Sequence, residues 1–432
     1  MPELSQTLEQ KWSNQRLKGM NEVLFISTYD AFGGAAKASF RIFRSFDPSR
    51  ISCKMFTAIK STEHENVHQL ISLDTEAKLR YVHELLTTIR ALQSNQTKTL
   101  QSYGQASAGI VDKINEDSAP LVHLHWICNY LSIDDIAKIQ KPIIWTLHDM
   151  WPFSGSEHID LNQESYIFQH APDETQISML SLETFNRKQR AWGNQNFTLV
   201  APSTWLANCA KNSKLFKHCD VHVIPIPLDA NIWRPQDRVQ ALGKFNFNPQ
   251  KRQILFIAQN LTNDPNKGWE LLQTSLMEVY QNQKVEFELI LVGHAGTFNH
   301  ELPFEVHSLG FVNDEEQLVN LYAAVHLLVI PSKLEAFSQV TCEAHACGLP
   351  VVAYDIGGVP DIISHQQSGW LAQPYNTTDF SAGIEWVLEN EVRRVDLGAF
   401  GRQKVLANFS TDMVAEKYMS LYDSIVQREA LK

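Results

Sequence analysis

The sequence predicts an α/β protein made of two doubly wound, Rossmann-like domains facing across a cleft. Three observations carry that expectation. Short apolar runs alternate with helical patterns along the chain, as parallel strands covered on both faces require. The runs fall into two series, separated by a proline-marked stretch from Pro225 to Pro235 that has no clear period. The length, 432 residues, suits two or three domains.

The first series opens with Val23-Leu24-Phe25-Ile26-Ser27, followed by a loop of small residues and a helix expected from about Lys37. Leu121 to Trp126, Pro142 to Leu147, Thr198 to Ser203 and Val221 to Pro225 read as further strands. Residues 154–190 lack a clear pattern and are expected to be an irregular excursion. The second series is Gln253–Ala258, Glu288–Gly293, Val325–Ile330 and Pro350–Tyr354. The segment Thr411 to Ile425 is amphipathic and helical in pattern.

Composition narrows the function classes. A net charge of −11 argues against a general nucleic-acid binder, which carries a basic balance. The six cysteines form no C-x-x-C pair, so a disulfide framework or a zinc site is not expected. The first twenty residues are polar and no run of about 18 apolar residues occurs, which argues against a signal peptide or a membrane span. A cytoplasmic protein is expected, with peripheral contact at the inner face of a membrane as a further option. Lys78, Arg80, Arg90 and Lys98 surround an apolar helical stripe that would suit anionic lipid. A solvated helix face is the plainer reading of the same pattern.

The most informative stretch runs from Val325 to Ala344. A buried strand ends at Pro331-Ser332, Glu335 lies in the following loop, and Ser338 is placed to cap a helix ending near Gly348. Glu343 is expected about two turns into that helix. Ligands of open parallel sheets bind outside the carboxyl ends of strands. Two carboxylates, which accept hydrogen bonds from sugar hydroxyls, would then meet a helix N-terminus, which suits phosphate. That combination describes a nucleotide-sugar site, although a solvated loop glutamate and a salt-bridged helix glutamate would share the spacing. Lys267-Gly268 follows another strand and precedes a helix, where a cation is unfavourable unless an anion is near. Phe32-Gly33-Gly34-Ala35-Ala36-Lys37 follows the first strand, and its small residues permit close backbone approach to a ligand, though a tight turn has the same composition. Trp145 to Phe153 ends a strand with His148-Asp149, where His148 would orient or protonate a bound group and Asp149 would bond its ring or an acceptor hydroxyl. His123 and His125 alternate on one strand beside Trp126; without a third ligand, packing or acceptor contact is expected rather than metal. Gly357-Gly358 reads as a strand-to-helix turn at the same crevice edge, and no D-x-D pair occurs.

On these motifs the chain resembles the retaining glycosyltransferases of family 4, which have the GT-B fold, and most of all the bacterial exopolysaccharide, colanic-acid-type subgroup. The resemblance runs from about residue 22 and is carried by Val122-His123-Leu124-His125-Trp126, Trp145 to Phe153, Ala201 to Leu206, Ile224 to Asp229, Lys267-Gly268, Leu309-Gly310-Phe311, Pro331-Ser332, Glu335 with Glu343, Ala346 to Ala353, and Gly357-Gly358-Val359-Pro360. It implies an acceptor-side domain at residues 1–228, a nucleotide-sugar domain at 229–410, and a helix at 411–432 that crosses back to the first. It also implies catalytic roles for Glu335 and His148, with Glu335 on the donor sugar and His148 on the transferred sugar. Donor binding is implied for Lys267, Glu343, Gly34, the amides of Phe337, Ser338, Gln339 and Val340, and Asn260. Asp149 and Trp126 fall on the acceptor side. The implied activity is hexose transfer from a nucleoside diphosphate sugar to a glycan or lipid-linked glycan, with retention, no metal and no cofactor. Three positions depart from the family pattern: Gln259-Asn260 stand where an arginine is common, Ala336 to Gln339 replace a glycine- or proline-bearing loop, and Ser154 to His158 replace a Thr-Gly-Gly-Cys-His-like segment. A sugar-nucleotide epimerase or hydrolase, and a non-catalytic nucleotide- or glycan-binding homologue, are the alternatives.

Overall fold

The computed structural model describes residues 22–71, 79, 82, 83, 86, 100–160, 179–259, 264–293, 302–312 and 314–431. The basic-helix expectation at Lys78, Arg80, Arg90 and Lys98, and the donor contact expected of Asn260, lie outside them. Among the described residues, one compact unit comprises those up to Pro202, Leu206–Pro227 and those from Asp412 onward; the other comprises Ser203–Trp205 and Leu228–Thr411.

The first unit holds a parallel sheet of seven strands: β1 (Glu22–Tyr29), β2 (Ser52–Ile59), β3 (Val67–Gln69), β4 (Val122–Leu124), β5 (Ile143–Thr146), β6 (Thr198–Ala201) and β7 (Asp220–Val223). Their order is β3-β2-β1-β4-β5-β6-β7, so the chain reverses direction across the sheet between β1 and β4. The central strands are apolar on both faces because helices cover both sides; Val23, Leu24, Phe25 and Ile26 are fully buried in succession. The helix after β1 spans Gly33–Arg44, beginning four residues before the expected Lys37. Gly33 (φ +84°) makes the early start possible by taking a left-handed turn directly after Phe32. Residues Met179–Trp192 form a helix where an irregular excursion was expected. Its buried anchors, Phe185, Trp192 and Lys188, are too widely separated by polar residues to show as an apolar stripe. The C-terminal helix, Thr411–Ala430, packs on this sheet through Tyr418 and Tyr422, both fully buried.

The second unit repeats the plan with six parallel strands: β8 (Arg252–Ile257), β9 (Phe287–Val292), β10 (Val306–Ser308), β11 (Leu327–Ile330), β12 (Val351–Tyr354) and β13 (Gly369–Ala372). Their order, β10-β9-β8-β11-β12-β13, places the reversal between β8 and β11. The core is built from Leu255, Leu289, Leu291, Leu328 and Val352 on strands and Leu272, Leu276, Val279 and Ile384 on helices, with aromatic rings such as Phe256, Tyr322 and Phe380 among them. Both architectures are the doubly wound α/β class that the sequence predicts.

Candidate active site

In a doubly wound sheet, loops after the two strands flanking the reversal splay apart and leave a crevice at their carboxyl ends. In the second unit those loops follow β8 and β11. The first delivers Asp264, Asn266 and Lys267; the second delivers Glu335. The Lys267 Nζ lies 3.0 Å from Glu335 Oε1. Their side chains are 27 % and 18 % exposed, so the pair is shielded yet reachable. The Glu335 carboxylate holds the Lys267 ammonium above its ordinary value against the opposing pull of burial, and Asp264 adds to the effect.

Backbone contacts fix this pair. Asp264 accepts from Asn266 N–H at 2.9 Å, and Pro265–Lys267 forms one 3₁₀ turn. Gly268 (φ +69°) ends the turn so tightly that a Cβ there would sit 1.9 Å from the Pro331 carbonyl oxygen. Asn266 donates to the Leu334 carbonyl at 2.9 Å, and Lys333 N–H donates to the Asn266 carbonyl at 2.7 Å, joining the two loops. Glu335 is held from the other side: Gly358 N–H donates to its carbonyl at 2.8 Å. A Cβ on Gly357 would lie 2.2 Å from that carbonyl oxygen. Ser203 Oγ donates to the Ala336 carbonyl at 2.7 Å. The glycine pair is therefore more than a turn; it is the surface on which the Glu335 loop rests.

The helix after Glu335 spans Gln339–Ala346 with Ser338 at its N-cap position. Here the expectation is corrected: the Ser338 side chain does not cap. Its Oγ accepts from Thr341 Oγ at 2.8 Å and makes no capping bond to the helix backbone. Phe337, Ser338, Gln339 and Val340 line this helix start. Glu343 is the fifth helical residue, about one turn in and not two. It is 6 % exposed and accepts from Tyr322 OH at 3.0 Å.

In the first unit the loops after β1, β4 and β5 carry the chemistry. Gly34 lies in the first turn of the Gly33–Arg44 helix. Trp126 Nε1 donates to Asp149 Oδ2 at 3.0 Å. The same oxygen lies 2.6 Å from His158 Nδ1, and Trp151 N–H donates to Asp149 Oδ1 at 3.0 Å. Burial opposes ionisation of Asp149, but His158, the Trp151 amide and His148 together hold its carboxyl below the usual value. The expected hydrogen bond from Asp149 to the His148 ring is absent, because His158 occupies that carboxylate. His148 pairs instead with His125, Nε2 to Nδ1, at 3.0 Å. Burial pushes His148 down to about 4 and His123 and His125 well below the ordinary imidazole range. All three are neutral near pH 7.

Sequence reasoning missed His158 and Lys188. Lys188 is fully buried; its Nζ donates to the carbonyls of Trp151, Ser154 and Gly155 and sits 3.8 Å from the Trp151 ring centroid. It fixes the loop that carries Asp149 and His158. The departure at Ser154 to His158 was the available signal for His158; nothing in the pattern marks Lys188. Among the described residues one group, Glu288, Glu305 and His307, offers metal-ligand atoms within 4.8 Å of one another. It lies on β9, β10 and the loop between, and Glu288 already accepts from Asn248 N–H, Gln253 Nε2 and His307 Nε2.

Residues 239–404 match the family profile described as glycosyl transferases group 1. The matched segment lies within the second unit. A D-inositol 3-phosphate glycosyltransferase of Segniliparus rotundus is 29 % identical over 224 residues, 49 % of this chain and 48 % of that protein. An N-acetylgalactosaminyltransferase acting on N,N'-diacetylbacillosaminyl-diphospho-undecaprenol, from Campylobacter jejuni, is 33 % identical over 122 residues, 28 % of this chain and 31 % of that one. The chain thus spans about half the length, or less, of these curated relatives. Among solved structures, sucrose-phosphate synthase of Thermosynechococcus elongatus superposes with a TM-score of 0.67 at 17 % identity, covering 94 % of this chain and all of that one (100 %). Anabaena Alr3699/HepE, solved with UDP-glucose, gives 0.63 at 17 % identity, covering 93 % and 99 %. The fold is that of the GT-B glycosyltransferases. Lys267, Glu335, Glu343 and the 337–340 helix start all fall inside the segment matched by the group 1 profile.

Proposed function

We propose that the chain is a retaining glycosyltransferase that moves a hexose from a nucleoside diphosphate sugar to a hydroxyl of a glycan or lipid-linked glycan, in bacterial exopolysaccharide synthesis. The observation that carries this reading is the Lys267–Glu335 pair at the β8/β11 reversal, beside the start of the Gln339–Ala346 helix. A diphosphate develops negative charge as the glycosidic bond breaks. Lys267 and the first-turn amides of Gln339–Ala346 supply positive charge at that position, so no metal is required. Glu335 accepts from hydroxyls of the donor sugar, and Glu343 from the ribose. His148, Trp126 and Asp149 serve the transferred sugar and the acceptor, where neutral hydroxyls are to be recognised. The departing phosphate oxygen takes the acceptor proton, so no dedicated protein base is needed. The UDP and UDP-glucose in the HepE structures support a nucleotide-sugar donor for this chain as well.

The test has two parts. A thermal-shift panel of nucleoside diphosphates and their sugars should raise the melting temperature for one base, because a ligand bound only to the native state stabilises it. With that donor, Glu335→Ala should abolish transfer while circular dichroism stays native. Near-normal transfer by that variant would sink the assignment.

A further inference from the structure

We infer that His125 is a positioning residue that fixes the tautomer of His148, so that His148 offers a hydrogen-bond donor, Nδ1–H, to an oxygen of the bound sugar. This rests on the proposed function only for the identity of the ligand.

The argument starts from one proton. His125 Nδ1 and His148 Nε2 are 3.0 Å apart, so a single hydrogen lies between them. In one arrangement His148 donates, and the neutral His125 must then carry its own proton on Nε2. That atom is buried and has no hydrogen-bond partner. The rings on either side give it no alternative. Phe25 stacks on His125 at 5.2 Å and 12°, and His123 lies against it at 4.2 Å and 37°. Phe25 lies nearly parallel to the imidazole and His123 is tilted against it, and neither supplies an acceptor to Nε2. A buried orphan N–H is among the least tolerated groups in a protein interior, whereas an under-used acceptor costs less. In the other arrangement His125 Nδ1–H donates, its Nε2 keeps only a lone pair, and His148 carries its proton on Nδ1.

The surroundings hold His125 in that role. Its N–H donates to the Ile26 carbonyl and its carbonyl accepts from Trp145 Nε1, each at 3.0 Å. His123, its neighbour in the stack, is already committed: Nδ1 lies 2.7 Å from Tyr422 OH and Nε2 2.7 Å from Thr146 Oγ. It is therefore not available to exchange a proton with His125. His148 is half-buried, and its Nδ1 has no partner among the described residues. The consequence is chemical. With Nε2 occupied and Nδ1 protonated, His148 polarises or orients an oxygen and does not accept a proton from it.

Long-range proton–nitrogen correlation spectra of the ¹⁵N-histidine-labelled full chain read the tautomers directly. His148 and His125 should both appear as Nδ1–H forms. In His125→Phe, which keeps the ring packing, His148 should shift toward the Nε2–H form, and the KM for the donor should rise about tenfold, the size of one lost hydrogen bond, with a smaller change in kcat. An Nε2–H form of His148 in the wild-type chain, or an unchanged tautomer in a folded His125→Phe, would overturn the inference. Should that variant fail to fold, the wild-type spectrum alone decides. The expected spectra without any detectable sugar transfer would support this inference and overturn the proposed function instead.

Discussion

The two sheets share a strand order around their reversal points, yet the loops at the carboxyl ends of their strands carry opposite chemistries. After β8 and β11 the second unit sets an ammonium against a carboxylate, half-shielded from water. After β4 and β5 the first unit sets neutral imidazoles and a carboxylate already closed by His158, Trp126 and the Trp151 amide. The comparison separates two things a fold does. Topology decides where a crevice opens; the few residues following each strand decide which ligand chemistry it suits. Charged groups that can be re-paired suit a polyanion such as a diphosphate. Neutral donors and acceptors suit hydroxyls.

The sharpest way to break this contrast is to remove the charge on one side only. Lys267→Met should lower turnover about 100-fold or more, the scale on which losing one donor to a developing oxyanion is felt. Its melting temperature should change little, since Lys267 is partly exposed. A steady-state assay at saturating donor checks this, and a variant within a few-fold of wild type would remove the charged role of the crevice.

A second test compares how tightly the two units hold their loops. Gly357 has φ +53° and no room, because a Cβ would approach the Glu335 carbonyl to 2.2 Å. Gly33 has φ +84° but open space around it. Gly357→Ala should cost about 3 kcal/mol and displace Glu335, while Gly33→Ala should cost only the backbone term, about 1 kcal/mol. Urea unfolding of both variants measures the difference. Equal losses would show that the Glu335 loop yields easily and is not braced by the glycine pair.

These contacts also show where the sequence stops being readable. Strands such as β1, β8, β9 and β11 are continuous apolar runs, and the burial of both faces makes them legible. β2 and β13 are not, because their partly exposed residues interrupt the run. β3 and β10 are three residues each and too short to show a pattern. Lys267 and Glu335 were legible because the strand-end rule depends on order along the chain. The bracing of Glu335 by Gly357, Gly358 and Ser203, the anchoring by Lys188 and the His125–His148 bond depend on distances between remote segments, which spacing does not encode. The Ser338 cap failed as an expectation for a local reason: Thr341 offers its hydroxyl to Ser338 Oγ.

Proton linkage distinguishes the two crevices further. His148 is held down to about 4 by burial, and His123 and His125 lie well below their ordinary value of 6.5. A lowered folded value means that the unfolded chain binds more protons in the intervening window. The stability these groups contribute is present above pH 6.5 and is lost as pH falls toward 4, at about 1.4 kcal/mol per pH unit for each imidazole. Lys267 has the opposite sign: its raised value contributes stability below its ordinary 10.5 that is lost as pH rises through the folded value. Urea midpoints between pH 4 and 7 should therefore climb with pH, and His148→Asn should flatten the climb by one proton's share. An unchanged slope in that variant would mean that His148 is charged in the folded protein.

The smallest expected effect tests the first unit's suitability for neutral ligands most directly. Trp126→Phe keeps an aromatic ring stacked against Tyr29, now 6.1 Å away at 28°, and removes only the N–H that reaches Asp149 Oδ2. Asp149 retains His158 and the Trp151 amide, so its charge is kept and the loop stays folded. One donor to an ionised carboxylate is worth about 1.5 kcal/mol, and with two donors left on Asp149 only part of it is lost, several-fold in a binding constant. Because the proposed acceptor contacts lie in the first unit, that several-fold loss should appear in the KM for the acceptor, leaving the KM for the donor unchanged. A change confined to the donor would move Trp126 from the acceptor to the transferred sugar that His148 serves, and its acceptor role would not hold.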